Sequence, residues 1–140
     1  MKPPILVVDD DPVIRETVSR KLEAAGYEVI TAADACEAIA AIGHHSPEII
    51  LLDINLPAEP PYGGGPRWDG LQLMSWLRTL RGAQRARFII ITALDLGTVR
   101  LNLIGTPAIA FMQKPIDFEL LLATIAEARE EDDRAGEPFP

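Results

Sequence analysis

Five short apolar runs constrain this chain more than any other feature. They are Ile5-Leu6-Val7-Val8, Glu28-Val29-Ile30-Thr31, Ile49-Ile50-Leu51-Leu52, Phe88-Ile89-Ile90-Ile91 and Ala108-Ile109-Ala110-Phe111-Met112. Three of the five are nearly continuous and rich in Val and Ile. Strands of that kind are covered on both faces, as in a parallel sheet. Segments with helical spacing lie between the runs. Pro12 to Ala25 carries Val13, Val18 and Leu22, with Asp11 placed to cap it and Gly26 to stop it. Asp34 to Ile42 is a short Ala-rich helix that Gly43 is expected to end. Gly70 to Leu80 carries Leu71, Leu73, Met74, Leu77 and Leu80 behind the cap candidate Asp69. Leu96 to Ile104 is a weaker helix, and Asp117 to Glu130 carries Leu121, Leu122, Ile125 and Ala126. Strand and helix thus alternate five times, which predicts an α/β protein with helices on both faces of a parallel sheet. Right-handed crossovers leave few topologies open.

A chain of 140 residues suggests one domain with a core that needs no staple. Its single cysteine, Cys36, has no internal disulfide partner, and the start of the chain lacks a leader-like apolar stretch. A reducing, cytoplasmic setting and no membrane span are the expectation. The net charge of −8 disfavours direct binding to DNA or anionic lipid. Part of that charge lies in Glu130-Glu131-Asp132-Asp133. The folded domain is expected over residues 1–130, followed by an acidic, disordered tail over 131–140.

Ligands of an open α/β sheet bind beyond the carboxyl ends of its strands. Asp9, Asp10 and Asp11 follow the first run, and Asp53, Ile54, Asn55, Leu56 and Pro57 follow the third. Thr92 and Ala93 follow the fourth, and Lys114 and Pro115 follow the fifth. Packed carboxylates repel one another unless a cation joins them, and Mg2+ takes such oxygen ligands together with a phosphate. A lysine and a hydroxyl beside them complete a set sufficient for phosphoryl transfer, which needs mainly positioning and charge neutralisation.

Ile5-Leu6-Val7-Val8-Asp9-Asp10-Asp11-Pro12, Leu51-Leu52-Asp53-Ile54-Asn55-Leu56-Pro57, Ile91-Thr92-Ala93 and Lys114-Pro115 resemble the receiver domain of two-component response regulators. The resemblance extends to about Arg129 and implies a flavodoxin-like, doubly wound five-stranded sheet in the order 2-1-3-4-5. It implies that Asp53 accepts the phosphoryl group from a histidine kinase or phosphotransfer protein. Asp10 would hold Mg2+ directly, Asp9 largely through water, and Asn55 through its backbone carbonyl. Thr92 and its neighbour Ala93 would face the phosphoryl group, and Lys114 would pair with it ahead of a cis bond to Pro115. Phe111 stands at the aromatic switch position, although it reads equally as core. Such a chain is no enzyme beyond its own Mg-dependent phosphorylation and dephosphorylation. With no output domain following, it would signal to an unknown downstream protein, or be a piece of something longer. The signalling face would comprise the helix over 96–104, the fifth strand and the last helix, and the apolar excess of the segment Leu94 to Ile104 also suits a homodimer.

Some residues depart from this pattern or compete with it. The segment over 58–68 separates Pro57 from Asp69-Gly70 by more than the family pattern does, and prolines and glycines fill it. It is expected either to shield the acyl phosphate with Tyr62, Arg67 or Trp68, or to be a tolerated insertion. Pro107 stands where the family usually has glycine. His44 and His45 suit a helix C-terminus, and Cys36 reads as a small packing residue. Two other functions stay in view: a receiver-like interaction module that is never phosphorylated, and a haloacid-dehalogenase-type phosphatase with Asp11 as its second acid.

Overall fold

The computed structural model describes residues 3–53, 70–93 and 108–135. In chain order these form β1 (Ile5–Val8), α1 (Pro12–Ala24), β2 (Val29–Ala32), α2 (Ala35–His45), β3 (Ile49–Asp53), α3 (Gly70–Leu77), β4 (Arg87–Thr92), β5 (Ala110–Gln113) and α4 (Phe118–Ala135). All five strands join one parallel sheet in the order β2-β1-β3-β4-β5, the flavodoxin-like order expected. The helix expected over 96–104, the loop over 58–68, Asp69 and Pro107 lie outside the described residues.

The alternation of side chains along a strand explains why the apolar runs are continuous. Leu6, Ile50, Leu52, Phe88 and Ile90 face one way and meet Ala38 and Ile42 of α2 and Leu73, Met74 and Leu77 of α3. Their neighbours Ile5, Val7, Ile49, Leu51 and Ile89 face the other way. They meet Val18 and Leu22 of α1 and Leu121, Ile125 and Ala128 of α4. Each strand feeds two cores, so neither face can be polar. In α4 the buried spacing runs through Ala128, while Ala126 is exposed. In α1, Val13 lies off the buried stripe and is 68% exposed.

Helix ends follow local hydrogen bonding. Asp11 caps α1 by accepting from the Val13 N–H at 2.9 Å. Asp34 caps α2 by accepting from the Glu37 N–H at 2.9 Å. The Glu37 carboxylate also accepts from the Ala33 N–H, one residue before the cap, at 2.6 Å. Gly26 takes a φ of +95° just past α1, as a stop signal should. Gly43 does not end α2, contrary to expectation: the helix runs through it to His45, and Ser46 takes the left-handed conformation instead, with φ 46°. α3 stops at Leu77, short of Leu80, because the Thr79 hydroxyl and N–H both bond to the Trp76 carbonyl and tighten the turn. α4 continues to Ala135, so residues 131–135, expected in the disordered tail, are helical. No helix of the described residues is long and apolar enough to cross a membrane.

Candidate functional site

The sheet order places β2 to one side of β1 and β3, β4 and β5 to the other. The connections therefore diverge between the carboxyl ends of β1 and β3, which opens a crevice there. Asp9 directly follows β1, and Asp53 is the last residue of β3. Both are buried, at 3% and 4% exposure, and Thr92 at the end of β4 is fully buried. Asp10 is exposed. One carboxylate oxygen from each of Asp9, Asp10 and Asp53 lies within 4.8 Å of the other two.

Lys114, directly after β5, reaches across to this cluster. Its Nζ donates to Asp9 Oδ2 and to Asp53 Oδ2, each at 3.0 Å. Its own N–H donates to the Thr92 carbonyl at 2.7 Å, which ties the β5 end to the β4 end. Burial works to lower the Lys114 pKa. Hydrogen bonds to Asp9 and Asp53, and their charge, outweigh burial and raise it above the ordinary lysine value. Lys114 is therefore a fixed cation at neutral pH.

Among the described residues, three carboxylates against one lysine leave an excess of negative charge at the crevice. A hard divalent cation relieves such an excess, and an all-oxygen donor set suits it. The residues present thus fit Mg2+.

Asp11 takes no part in the cluster, since its carboxylate is spent on capping α1. The Lys114–Pro115 bond is cis, as expected. Ala93 is exposed just past β4. Phe111 is partly buried and packs on the core shared with α2 and α3. Asn55 lies outside the described residues. Cys36, expected to pack, is exposed instead. The exposed rings of His44 and His45 stand edge to face, 6.4 Å apart, at the end of α2.

One residue beside the site escapes sequence reasoning. Arg15 Nη1 donates to the Asp9 backbone carbonyl at 2.7 Å. No side-chain pattern announces a bond to a carbonyl, although an arginine one turn into the helix after an acidic strand end was the available signal.

A family model for the response regulator receiver domain matches residues 5–126. The chain belongs to that family. This receiver domain is 34% identical over 119 residues to the response regulator MprA of Mycobacterium sp. strain KMS, covering 85% of this chain and 47% of that protein. It is 31% identical over 132 residues to the "DNA-binding dual master transcriptional regulator RpaA" of Synechocystis sp., covering 94% of this chain and 51% of that protein. The chain thus spans about half the length of these curated relatives. A crystal structure of a CheY-like receiver domain protein from Methanospirillum hungatei matches with a TM-score of 0.79 and 29% identity, over 97% of this chain and 100% of that one.

Proposed function

We propose that this receiver domain takes a phosphoryl group from a phosphohistidine onto Asp53 and signals through the change that follows. The observation that carries the reading is the double bond of Lys114 to Asp9 and Asp53 beside an acidic trio with an excess of negative charge. A lysine in that place holds Asp53 Oδ2 and so fixes which way the carboxylate faces. An Asp53 oxygen attacks phosphorus, the O–P bond forms as the N–P bond breaks, and the imidazole leaves with a proton. Lys114, already charged, then pairs with the phosphoryl oxygens. Asp10 and Asp53 would hold Mg2+, with Asp9 acting through water and Asn55 through its carbonyl. When bound, the ion neutralises the charge that gathers on the phosphoryl oxygens.

Thr92, buried beside Lys114, donates its hydroxyl to the new phosphoryl group, and the partly buried Phe111 follows it inward. That is a shift between two populations of one fold. The output is a contact with a protein partner, in the cytoplasm. Beyond its own phosphorylation and dephosphorylation the domain catalyses nothing. The donor seats beside the site. Ile14 and Thr17 of α1 and Lys114, Pro115, Ile116 and Phe118 line an apolar groove of about 190 Å³ there, and Val13 stands exposed on the same helix.

Incubation with acetyl phosphate and Mg2+ tests the reading. Intact-mass measurement is expected to show a gain of one phosphoryl group in the wild type and none in Asp53→Asn. No gain in the wild type, or an equal gain in the variant, defeats it.

A further inference from the structure

We propose that Arg15 is a positioning residue for the metal site: acting through the backbone, it aims the Asp10 carboxylate and so sets the affinity for Mg2+. The inference rests on the phosphoryl-acceptor reading above. Asp10 is exposed, and among the described residues no hydrogen bond or ion pair holds its carboxylate. Among those residues its direction is therefore left to its own backbone dihedrals and to a short side chain.

Both peptide units that flank Asp10 are tied down. The unit between Asp9 and Asp10 presents its carbonyl to Arg15 Nη1 at 2.7 Å. The unit between Asp10 and Asp11 presents its N–H to Asp9 Oδ1 at 2.9 Å. The first plane sets φ of Asp10 and the second sets ψ, so the two bonds together fix where Cβ points. The second tie is local to the acidic run. The first comes from the half-buried side chain of Arg15, which α1 places from its first turn through the Asp11 cap and the bond from the Arg15 N–H to the Asp11 carbonyl at 3.0 Å. A guanidinium donor makes this a charge-assisted bond, stronger than a neutral one. Arg15 also differs from Lys114 in kind. Its side chain bonds a carbonyl rather than a carboxylate, so it orders the site without competing for the oxygens a cation needs.

Calorimetric titration of Mg2+ into the full chain tests this, with wild type, Arg15→Ala, Arg15→Gln, Asp10→Asn and the Arg15→Ala/Asp10→Asn double variant. Outer groups that orient ligands commonly change metal affinity by about tenfold or more. The Mg2+ Kd is expected to rise about tenfold in Arg15→Ala. It should rise less in Arg15→Gln, whose amide can still donate. In the Asp10→Asn background, Arg15→Ala should add no further loss, because the carboxylate it aims is gone. A wild type that is phosphorylated and binds Mg2+, with Kd unchanged in folded Arg15→Ala, overturns the inference alone. An equal loss in both backgrounds also overturns it, since that is the mark of a general structural role. A wild type that takes no phosphoryl group overturns the functional reading as well. Should Arg15→Ala melt below the assay temperature, Arg15→Gln carries the same comparison.

Discussion

Lys114 sits 3.0 Å from two carboxylates that are themselves almost fully buried. Removing it strands Asp9 and Asp53 as close, desolvated like charges. Lys114→Met is expected to lower stability by about 2 kcal/mol in EDTA, less than a wholly buried pair would lose because the Lys114 side chain is itself 19% exposed. Mg2+ should restore part of that loss in urea melts, since another cation takes over the neutralising role. An unchanged melt in EDTA would count against this account. The sign with pH follows from the raised Lys114 pKa. The lysine's contribution is intact at neutral pH and is lost only as pH climbs above the ordinary lysine value of 10.5. Most of this site was legible in the sequence because its parts end strands. Asp9, Asp53, Thr92 and Lys114 each close an apolar run, and the fold then gathers strand ends. The exact partners of Lys114 lie 105 and 61 residues away in sequence, and only the topology joins them. Arg15 was invisible for a different reason: it acts on a backbone atom.

Two glycines show how one residue type plays opposite parts within neighbouring elements. Gly43 lies inside α2, exposed, and a methyl added there would meet nothing within 4 Å. Gly82, in the turn before β4, has φ +101°, and an added Cβ would stand 2.6 Å from the Ile42 carbonyl oxygen. Gly43→Ala is expected to stabilise by about 1 kcal/mol, through helix propensity and a less flexible unfolded chain. Gly82→Ala is expected to destabilise by about 2 kcal/mol or more, because strain and a backbone clash combine. Denaturant melts of the two single variants decide it, and equal signs would refute the contrast. In the sequence Gly43 reads as a helix stop, a role that glycine takes where the chain needs positive φ. Here Ser46 supplies that turn, and α2 gains the last residues to His45. The strands were more readable than the helix ends. Burial on both faces leaves a mark along the whole strand, whereas a helix end depends on a few hydrogen bonds such as those to Trp76.

Across the whole molecule, the acidic crevice occupies one edge of the sheet and a second polar cluster ties the other. Arg129 of α4 forms an ion pair with Glu48, just before β3, and donates to the Pro3 carbonyl at 3.2 Å. Its guanidinium also lies 4.4 Å from the centre of the Tyr27 ring, which precedes β2. Glu48 extends the tie: its N–H bonds the Pro4 carbonyl, and its carbonyl receives the Arg87 N–H at the start of β4. One side chain thus holds α4 against the amino ends of the strands. Both partners are largely shielded, at 13% and 12% exposure, so removing Arg129 would leave the Glu48 charge unpaired and poorly solvated. Arg129→Ala is expected to lower stability by about 2 kcal/mol, through loss of the ion pair, the carbonyl bond and the ring contact. The two edges are joined by strands that stay packed in both cores, so the loss should remain local to the amino ends. Mg2+ affinity and the fraction phosphorylated by acetyl phosphate should therefore match the wild type at temperatures where the variant is folded. Urea melts alongside intact-mass labelling check both halves. A folded Arg129→Ala that is phosphorylated less would show that the amino-end cluster helps set the geometry at Asp53, and that the two edges of the sheet form one cooperative unit.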